Sequence, residues 1–242
     1  MKKATRAAAL LLAVCAMIFC TACGDGGIKL DIKSPVNPAS IDEVDPDYED
    51  AAIQPSTNVN GMRFNLTPYE FTVRYNTIKR VLGENDLIMS GNWRVNGKST
   101  VDNNGVSIQY LYYDDKNVNF TATVETDTGK LVNIGIGTTT SHFMTQNDDD
   151  ENNSDKVLRK AAMMAQAACR FEDDSLDLLQ NIFYRTTTEA NNALWFKGFM
   201  FTLSTRQNKE DSKNNILLFR VFPISDELKN EWKPVEYEAG SR

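Results

Sequence analysis

The chain has 242 residues, and its 33 acidic and 26 basic residues give a formal net charge of −7. This length is sufficient for one domain with a hydrophobic core of ordinary size. The net negative charge argues against nucleic-acid binding, because that affinity depends largely on Lys and Arg that neutralise phosphates.

The first 23 residues have the pattern of an export signal. A basic start, residues 1–6, precedes the uncharged stretch 7–19, which is shorter than the roughly 20 apolar residues that a membrane-spanning helix needs. Two small residues then stand directly before Cys23. This stretch resembles the lipobox of bacterial lipoproteins, in which a lipidated cysteine becomes the mature N-terminus. Cys20 stands where that family usually has Leu.

The resemblance implies that residues 1–22 are a signal peptide and that lipid on Cys23 anchors the protein to the cell membrane, facing the extracytoplasmic side. Two or three acyl chains would make a durable anchor, since each buried methylene contributes about 0.8 kcal/mol. Without residues 1–22, 23 basic residues remain against 33 acidic ones, a net charge of −10. Attachment would then come from the lipid and not from attraction to anionic headgroups. An ordinary secretory signal with an incidental cysteine is the alternative.

Residues 23–60 are predicted to form a lipidated flexible linker. Four of the seven prolines and an acidic run at 42–50 lie in this segment, and its apolar residues are sparse and aperiodic. Such a segment buries too little apolar surface to offset the entropy lost on ordering. We expect it to act as a spacer that leads to a single domain at 61–242; a functional acidic motif is the alternative.

The segment 65–83 predicts the first helix. Thr67, Pro68 and Glu70 fit a capping box with proline at the first helical position. Apolar residues at 71, 75, 78 and 82 form one stripe, and Gly83 is expected to end the helix. The Thr-Pro-x-Glu-Phe start resembles the opening helix of uncharacterised lipoproteins of Gram-positive bacteria. That resemblance implies no activity.

A meander of strands is predicted after this helix. A short strand begins at Trp93, and period-two alternation predicts three longer strands, at 106–112, 118–124 and 132–136. Turns rich in Asp, Asn and Gly separate them. One face of the resulting sheet is expected to be buried and the other to be wetter.

The second half begins after the polar stretch 146–154. Helical patterns predict one helix that ends at Cys169 and another over 174–184, and two strands are predicted at 193–205 and 216–223. The predicted order is therefore helix, three or four strands, two helices and two strands. Helices packed on one face of an antiparallel meander sheet define an α+β fold. Two degenerate helix-plus-meander halves, 61–145 and 154–223, are a further hypothesis without a residue-level match.

Few residues offer catalytic or metal-binding chemistry. His142 is the only histidine, and neither G-x-S-x-G nor S-x-x-K occurs, so the common nucleophile motifs are missing. Cys169 lies in an apolar helical pattern and is interpreted as a packing residue. The acidic stretch 147–155 departs from an EF-hand loop, because Asn153 and Arg159 replace the required Gly and Glu. We therefore predict no metal, no cofactor and no catalytic residue; a looser calcium site in this stretch is the alternative.

Aromatic residues on the predicted strands suggest a binding patch. The candidates are Tyr110, Tyr112, Tyr113 and Trp195. Adjacent residues on a strand point to opposite faces, so at least one of Tyr112 and Tyr113 can lie on the outer face. Exposed aromatic side chains on a sheet suit binding of a protein or a sugar.

These observations favour a non-enzymatic, membrane-anchored module that binds a protein or an envelope ligand and no nucleic acid. One alternative is an extracytoplasmic hydrolase that uses two carboxylates in a cleft, as glycosidases do. A structural lipoprotein of envelope assembly is the other alternative. An exposed apolar patch would favour partner binding over a purely structural role.

Overall fold

The computed structural model describes residues 52–84, 86–115, 118–145, 152–171, 176–209, 211 and 214–238. The predicted signal peptide, the lipidation site Cys23 and most of the predicted linker lie outside the described residues. So does most of the acidic stretch 147–155.

The described chain begins with a hairpin of two short antiparallel strands, β1 (Ile53–Pro55) and β2 (Met62–Phe64). Strand β1 lies within the segment that the sequence predicted to be linker. The segment is ordered by partners distant in sequence: Ser56 and Asn58 both donate hydrogen bonds to Glu125. Contacts between residues so far apart in the sequence cannot be predicted from the composition of residues 23–60.

Helix α1 (Pro68–Val81) confirms the predicted capping box: the Thr67 hydroxyl accepts from the Glu70 amide, and the Glu70 carboxylate accepts from the Thr67 amide. Gly83 follows the helix with φ +78°, a value that glycine adopts without strain. Phe71 and Tyr75, both fully buried, fix the inner side of the helix.

The meander that follows contains five strands: β3 (Arg94–Val95), β4 (Thr100–Val101), β5 (Ser107–Asp115), β6 (Val118–Glu125) and β7 (Leu131–Thr139). The three longer strands confirm the predicted alternation. Phe120, Ala122 and Val124 on β6 point into the core together with Ile134 and Ile136 on β7. Strand β4 was not predicted, because its two residues give no periodic signal.

Four helices and three strands complete the described part: α2 (Thr140–Met144), α3 (Asn153–Cys169), α4 (Leu176–Thr186), β8 (Ala193–Phe196), β9 (Phe199–Arg206), β10 (Ile216–Pro223) and α5 (Asp226–Trp232). The prediction of one strand over 193–205 was wrong. Lys197 and Gly198 both have positive φ, 47° and 90°, and make a two-residue hairpin turn. The short helices α2 and α5 were not predicted.

The large sheet has eight strands in the order β3-β5-β6-β7-β10-β9-β8, with β4 also paired to β5. All of its described pairings between strands are antiparallel. Mixed helix and antiparallel sheet confirm the α+β prediction. The last strand of each predicted half, β7 and β10, lies at the centre, so the two meanders run outwards in opposite directions. An origin of the halves in duplication stays a prediction.

The three longest helices lie on one face of this sheet. Helix α3 packs on β7 and β10, α4 packs on β8 and β9, and α1 packs against α3. The core between these layers contains edge-to-face aromatic contacts, such as Tyr75 with Phe120 at 5.1 Å and Phe183 with Phe201 at 5.2 Å between ring centroids. The opposite face of the sheet carries none of the three longest helices.

Candidate binding face

Side chains on the strands alternate between the helix-covered face and the opposite face. Two elements cover parts of the opposite face. Trp232 of helix α5 packs, together with Trp195 and Phe222, on a small buried cluster of Ala193, Met200 and Ile224. The β1–β2 hairpin covers Glu125. We call the remaining outward-facing positions the open face: Arg94, Tyr110, Tyr112, Asp114, Asn119, Thr121, Thr123, Asn133, Gly135, Gly137, Thr202, Ser204, Arg206, Ile216, Leu218 and Arg220.

The structure places the four predicted aromatic residues in three different environments. Tyr110 and Tyr112 are half-buried on the open face, opposite Thr123 and Thr121 on β6. Tyr113 points into the core, where it is 7% exposed and packs edge-to-face on Phe120. A surface patch can therefore include Tyr110 and Tyr112 but not Tyr113.

Trp195 lies far from the two tyrosines. Strands β5 and β8 are five inter-strand spacings apart, which is roughly 24 Å. The indole of Trp195 is covered by the Lys229 ammonium, whose Nζ lies 3.5 Å from the ring centroid. Lys229 in turn pairs with Glu236 at 2.7 Å. Trp195 thus holds the C-terminal segment on the sheet and does not extend the tyrosine pair.

Two glycines occupy the middle of the open face. Gly135 and Gly137 are outward positions on the central strand β7. A Cβ at position 135 would lie 2.5 Å from Cγ of Arg220 and 2.7 Å from the Phe219 carbonyl oxygen. Because residue 135 has no side chain, the Arg220 side chain can lie flat across the backbone of β7.

Two hydroxyl-bearing side chains of the neighbouring strand β9 lie beside this arginine. Nη2 of Arg220 donates to Ser204 Oγ at 3.2 Å, and the arginine is only 6% exposed. Thr202 faces Arg220 directly in the strand register. Its Oγ1 is buried and has no hydrogen-bond partner among the described residues. The centre of the face therefore combines a largely buried cation with hydroxyl groups.

The other half of the face, on β6 and β7, is polar and uncharged. Asn133 Nδ2 donates to Thr123 Oγ1 at 3.0 Å across the two strands. Asn119 is exposed and Thr121 is half-buried. These side chains place hydrogen-bonding groups between the tyrosines and the arginine.

A buried carboxylate lies where the β1–β2 hairpin contacts the end of the open face. Glu125 is 1% exposed and accepts hydrogen bonds from Ser56, Asn58 Nδ2 (2.8 Å) and Arg63. Burial would by itself raise the pKa of Glu125, but the donors from the hairpin outweigh it and lower the pKa below its ordinary value of 4.5. Sequence analysis missed this network, since no local pattern links the hairpin to β6.

The remaining candidate residues for catalysis or metal binding lie away from the open face. His142 is half-buried on α2, with Nδ1 3.4 Å from Asn153 Nδ2. Cys169 is buried, and burial raises the pKa of its thiol well above the usual value. Among the described residues, no group of three or more His, Cys, Asp or Glu could hold a metal ion.

A cleft of about 230 Å³ lies between α2, the start of α3 and the end of α4. Met144 and Tyr184 form exposed parts of its wall, being 73% and 56% exposed. Asp155 is the one carboxylate among its described lining residues. The described part of this cleft therefore does not bring together the two facing carboxylates that the hydrolase alternative needs.

Comparisons with known protein families, with curated proteins and with solved structures found no match to this chain. Among the described helices, none combines the length and the apolar character that crossing a membrane requires. The assignment of a function therefore depends on the sequence and on the geometry of the described residues.

Proposed function

We propose that this protein is a lipoprotein, anchored through Cys23 on the extracytoplasmic side of the cell membrane, whose folded domain is a non-enzymatic binding module for a protein or an envelope ligand. The open face is its binding surface. The observation that carries this proposal is the one-sided layering of the sheet, with the three longest helices over one face and half-buried tyrosine, asparagine and threonine side chains on the other.

The composition of the open face supports a recognition role. A solvated face of an antiparallel sheet usually carries polar side chains. Here Tyr110 and Tyr112 present partly buried rings beside hydrogen-bonding groups. Tyrosine combines a large apolar surface with a polar end and is enriched at protein interfaces.

The anchor and the spacer support the proposed location. The sequence up to Cys23 resembles a lipobox, and the acidic, proline-containing segment before residue 52 provides up to 28 residues between Cys23 and the described domain. A chain of that length, even if only partly extended, separates the domain from the membrane surface by several nanometres. The open face would then be accessible to partners at the cell envelope.

Site-specific photo-crosslinking in cells of the source organism tests this proposal. p-Benzoylphenylalanine in place of Tyr112 puts the crosslinker on the open face with little change in size, and the same residue in place of Tyr184 puts it on the exposed wall of the α2–α3–α4 cleft. We expect a specific crosslinked species from position 112 and none from position 184. No crosslink from position 112, or the same species from both positions, would contradict the proposal.

A further inference from the structure

The open face differs in charge from the rest of the chain. The whole sequence has more acidic than basic residues, 33 against 26. Among the described positions of the open face, the charges that are exposed or half-buried are those of Arg94, Arg206 and Asp114, and Arg220 adds a positive charge that is nine-tenths buried. The nearby Glu125 is buried and paired with Arg63. A face of net positive charge on an acidic protein indicates a ligand of negative charge.

One arginine adjoins the tyrosine pair. Arg94 on β3 is the direct antiparallel neighbour of Tyr112 on β5, and its side chain is exposed. Facing residues on paired strands have Cβ atoms about 5 Å apart, so the guanidinium and the phenol ring share one binding area. A ligand in contact with Tyr112 therefore also meets the charge of Arg94.

The central arginine lies in a setting that strengthens its interaction with an anion. Arg220 is nine-tenths buried beside Ser204 and Thr202, where the effective dielectric constant is lower than in water. A guanidinium group matches a carboxylate with two parallel hydrogen bonds. Carboxylates, the anionic groups of protein side chains, are therefore among the anions that suit this face.

Resting on the proposed function, we infer that the partner is a protein and that the open face binds an acidic segment of it. The carboxylates of that segment interact with Arg94 and Arg220, and its apolar groups pack on Tyr110 and Tyr112. Tyrosine and arginine are the residue types that contribute most to protein–protein binding energy, which favours a polypeptide over a simple anionic polymer.

The test measures the yield of the crosslink from position 112 in full-length protein that carries a second substitution. Arg94→Glu reverses the charge beside the crosslinker, Arg94→Lys keeps it, and Arg80→Glu makes the same reversal at an exposed position of α1 on the helix-covered side. We expect Arg94→Glu to lower the yield at least about threefold and the two controls to leave it within about a factor of 1.5. Mass spectrometry of the crosslinked peptide should identify a protein segment with net negative charge.

Three results would overturn the inference while leaving the proposed function in place. They are a crosslinked segment that is neutral or basic, a yield that Arg94→Glu does not change, and a crosslink to a glycan or a lipid. A crosslink to the acidic run at 42–50 of the same chain would also overturn it, because the protein's own segment would then occupy the face. Absence of any crosslink from position 112 would instead contradict the proposed function, and the inference with it.

Discussion

Arg220 on β10 lies across Gly135 on β7, and its Cγ takes the space that a side chain at position 135 would fill. The two residues form one cross-strand pair at the centre of the sheet, where the two meanders meet. The arginine can be buried on the open face because its neighbour is glycine.

We predict that Gly135→Ala destabilises the fold. The new Cβ would lie 2.5 Å from Arg220 Cγ and 2.7 Å from the Phe219 carbonyl oxygen, and the backbone oxygen cannot move away freely. Overpacking of this kind costs about 1–3 kcal/mol in the free energy of unfolding, measurable by urea denaturation. Gly137→Ala is the matched control on the same strand and face. Its nearest contacts would be 3.7 and 3.8 Å, so it should be neutral or slightly stabilising. Equal effects of the two substitutions would contradict this account.

Thr202→Val should be nearly neutral, changing the free energy of unfolding by less than about 0.5 kcal/mol, because the Thr202 hydroxyl is buried without a hydrogen-bond partner among the described residues. Thr72→Val is the comparison. The Thr72 hydroxyl donates to the Pro68 carbonyl at 2.8 Å and accepts from Trp93 Nε1 at 3.0 Å. Its loss leaves a buried indole N–H unsatisfied and should cost about 1–3 kcal/mol. A large loss of stability in Thr202→Val would show that this hydroxyl has a partner in solution.

Glu125→Gln should weaken the attachment of the β1–β2 hairpin to the sheet. The neutral amide loses the charge-assisted interaction with Arg63, and its NH2 group faces existing donors at either position, Ser56 and Asn58 in place of Oε1 or Arg63 and Thr128 in place of Oε2. We expect a loss of about 2 kcal/mol at neutral pH, discounted because the Arg63 side chain is 21% exposed. Hydrogen exchange of the amides at 56–64 should accelerate with it. Glu236→Gln, at a carboxylate that is 56% exposed, should change stability by less than about 0.5 kcal/mol.

The contribution of Glu125 should depend on pH in one direction. Its pKa is lowered in the folded protein, so its stabilising effect is complete above the unfolded value of about 4.5 and is lost as pH falls through the folded value. The difference in unfolding free energy between the wild-type protein and Glu125→Gln should therefore be constant near neutrality and shrink below about pH 4.5. Urea denaturation of both proteins over this range measures it. A difference that grows on acidification would contradict the assignment.

Cys23→Ala should release the protein from the membrane fraction and abolish metabolic labelling with a radioactive fatty acid. The expectation follows from the resemblance of residues 1–23 to a lipobox. Cys169→Ala is the control and should leave the protein labelled and membrane-bound. If Cys23→Ala stays membrane-bound and labelled, attachment depends on another part of the chain.

Local sequence was sufficient where the structural signal is local. The capping box of α1 depends on residues three apart, and the meander depends on alternation within each strand, so both were predicted correctly. The turn at Lys197 and Gly198 was missed because the apolar pattern continues on both sides of it. Helix α5 was missed because only seven residues form it, and its stability comes from packing of Trp232 on the sheet.

The candidate site was only partly predictable. Sequence places Tyr112 and Tyr113 on opposite faces of a strand, but it does not tell which face the helices cover. That choice depends on the long-range packing of α3 on β7 and β10, which leaves Tyr112 on the open face and buries Tyr113. The pairing of Gly135 with Arg220 and the contacts of Glu125 with the hairpin join residues that are more than 60 positions apart.

The sequence by itself determined the three longest helices, the long strands of the first meander, the α+β class and the resemblance of the first 23 residues to a lipobox, because these depend on short-range periodicity and on local motifs. Only the tertiary structure decided which strands are neighbours, which side of the sheet is open and which charges lie on it. The physical reason is that burial and cross-strand pairing depend on contacts between distant parts of the chain.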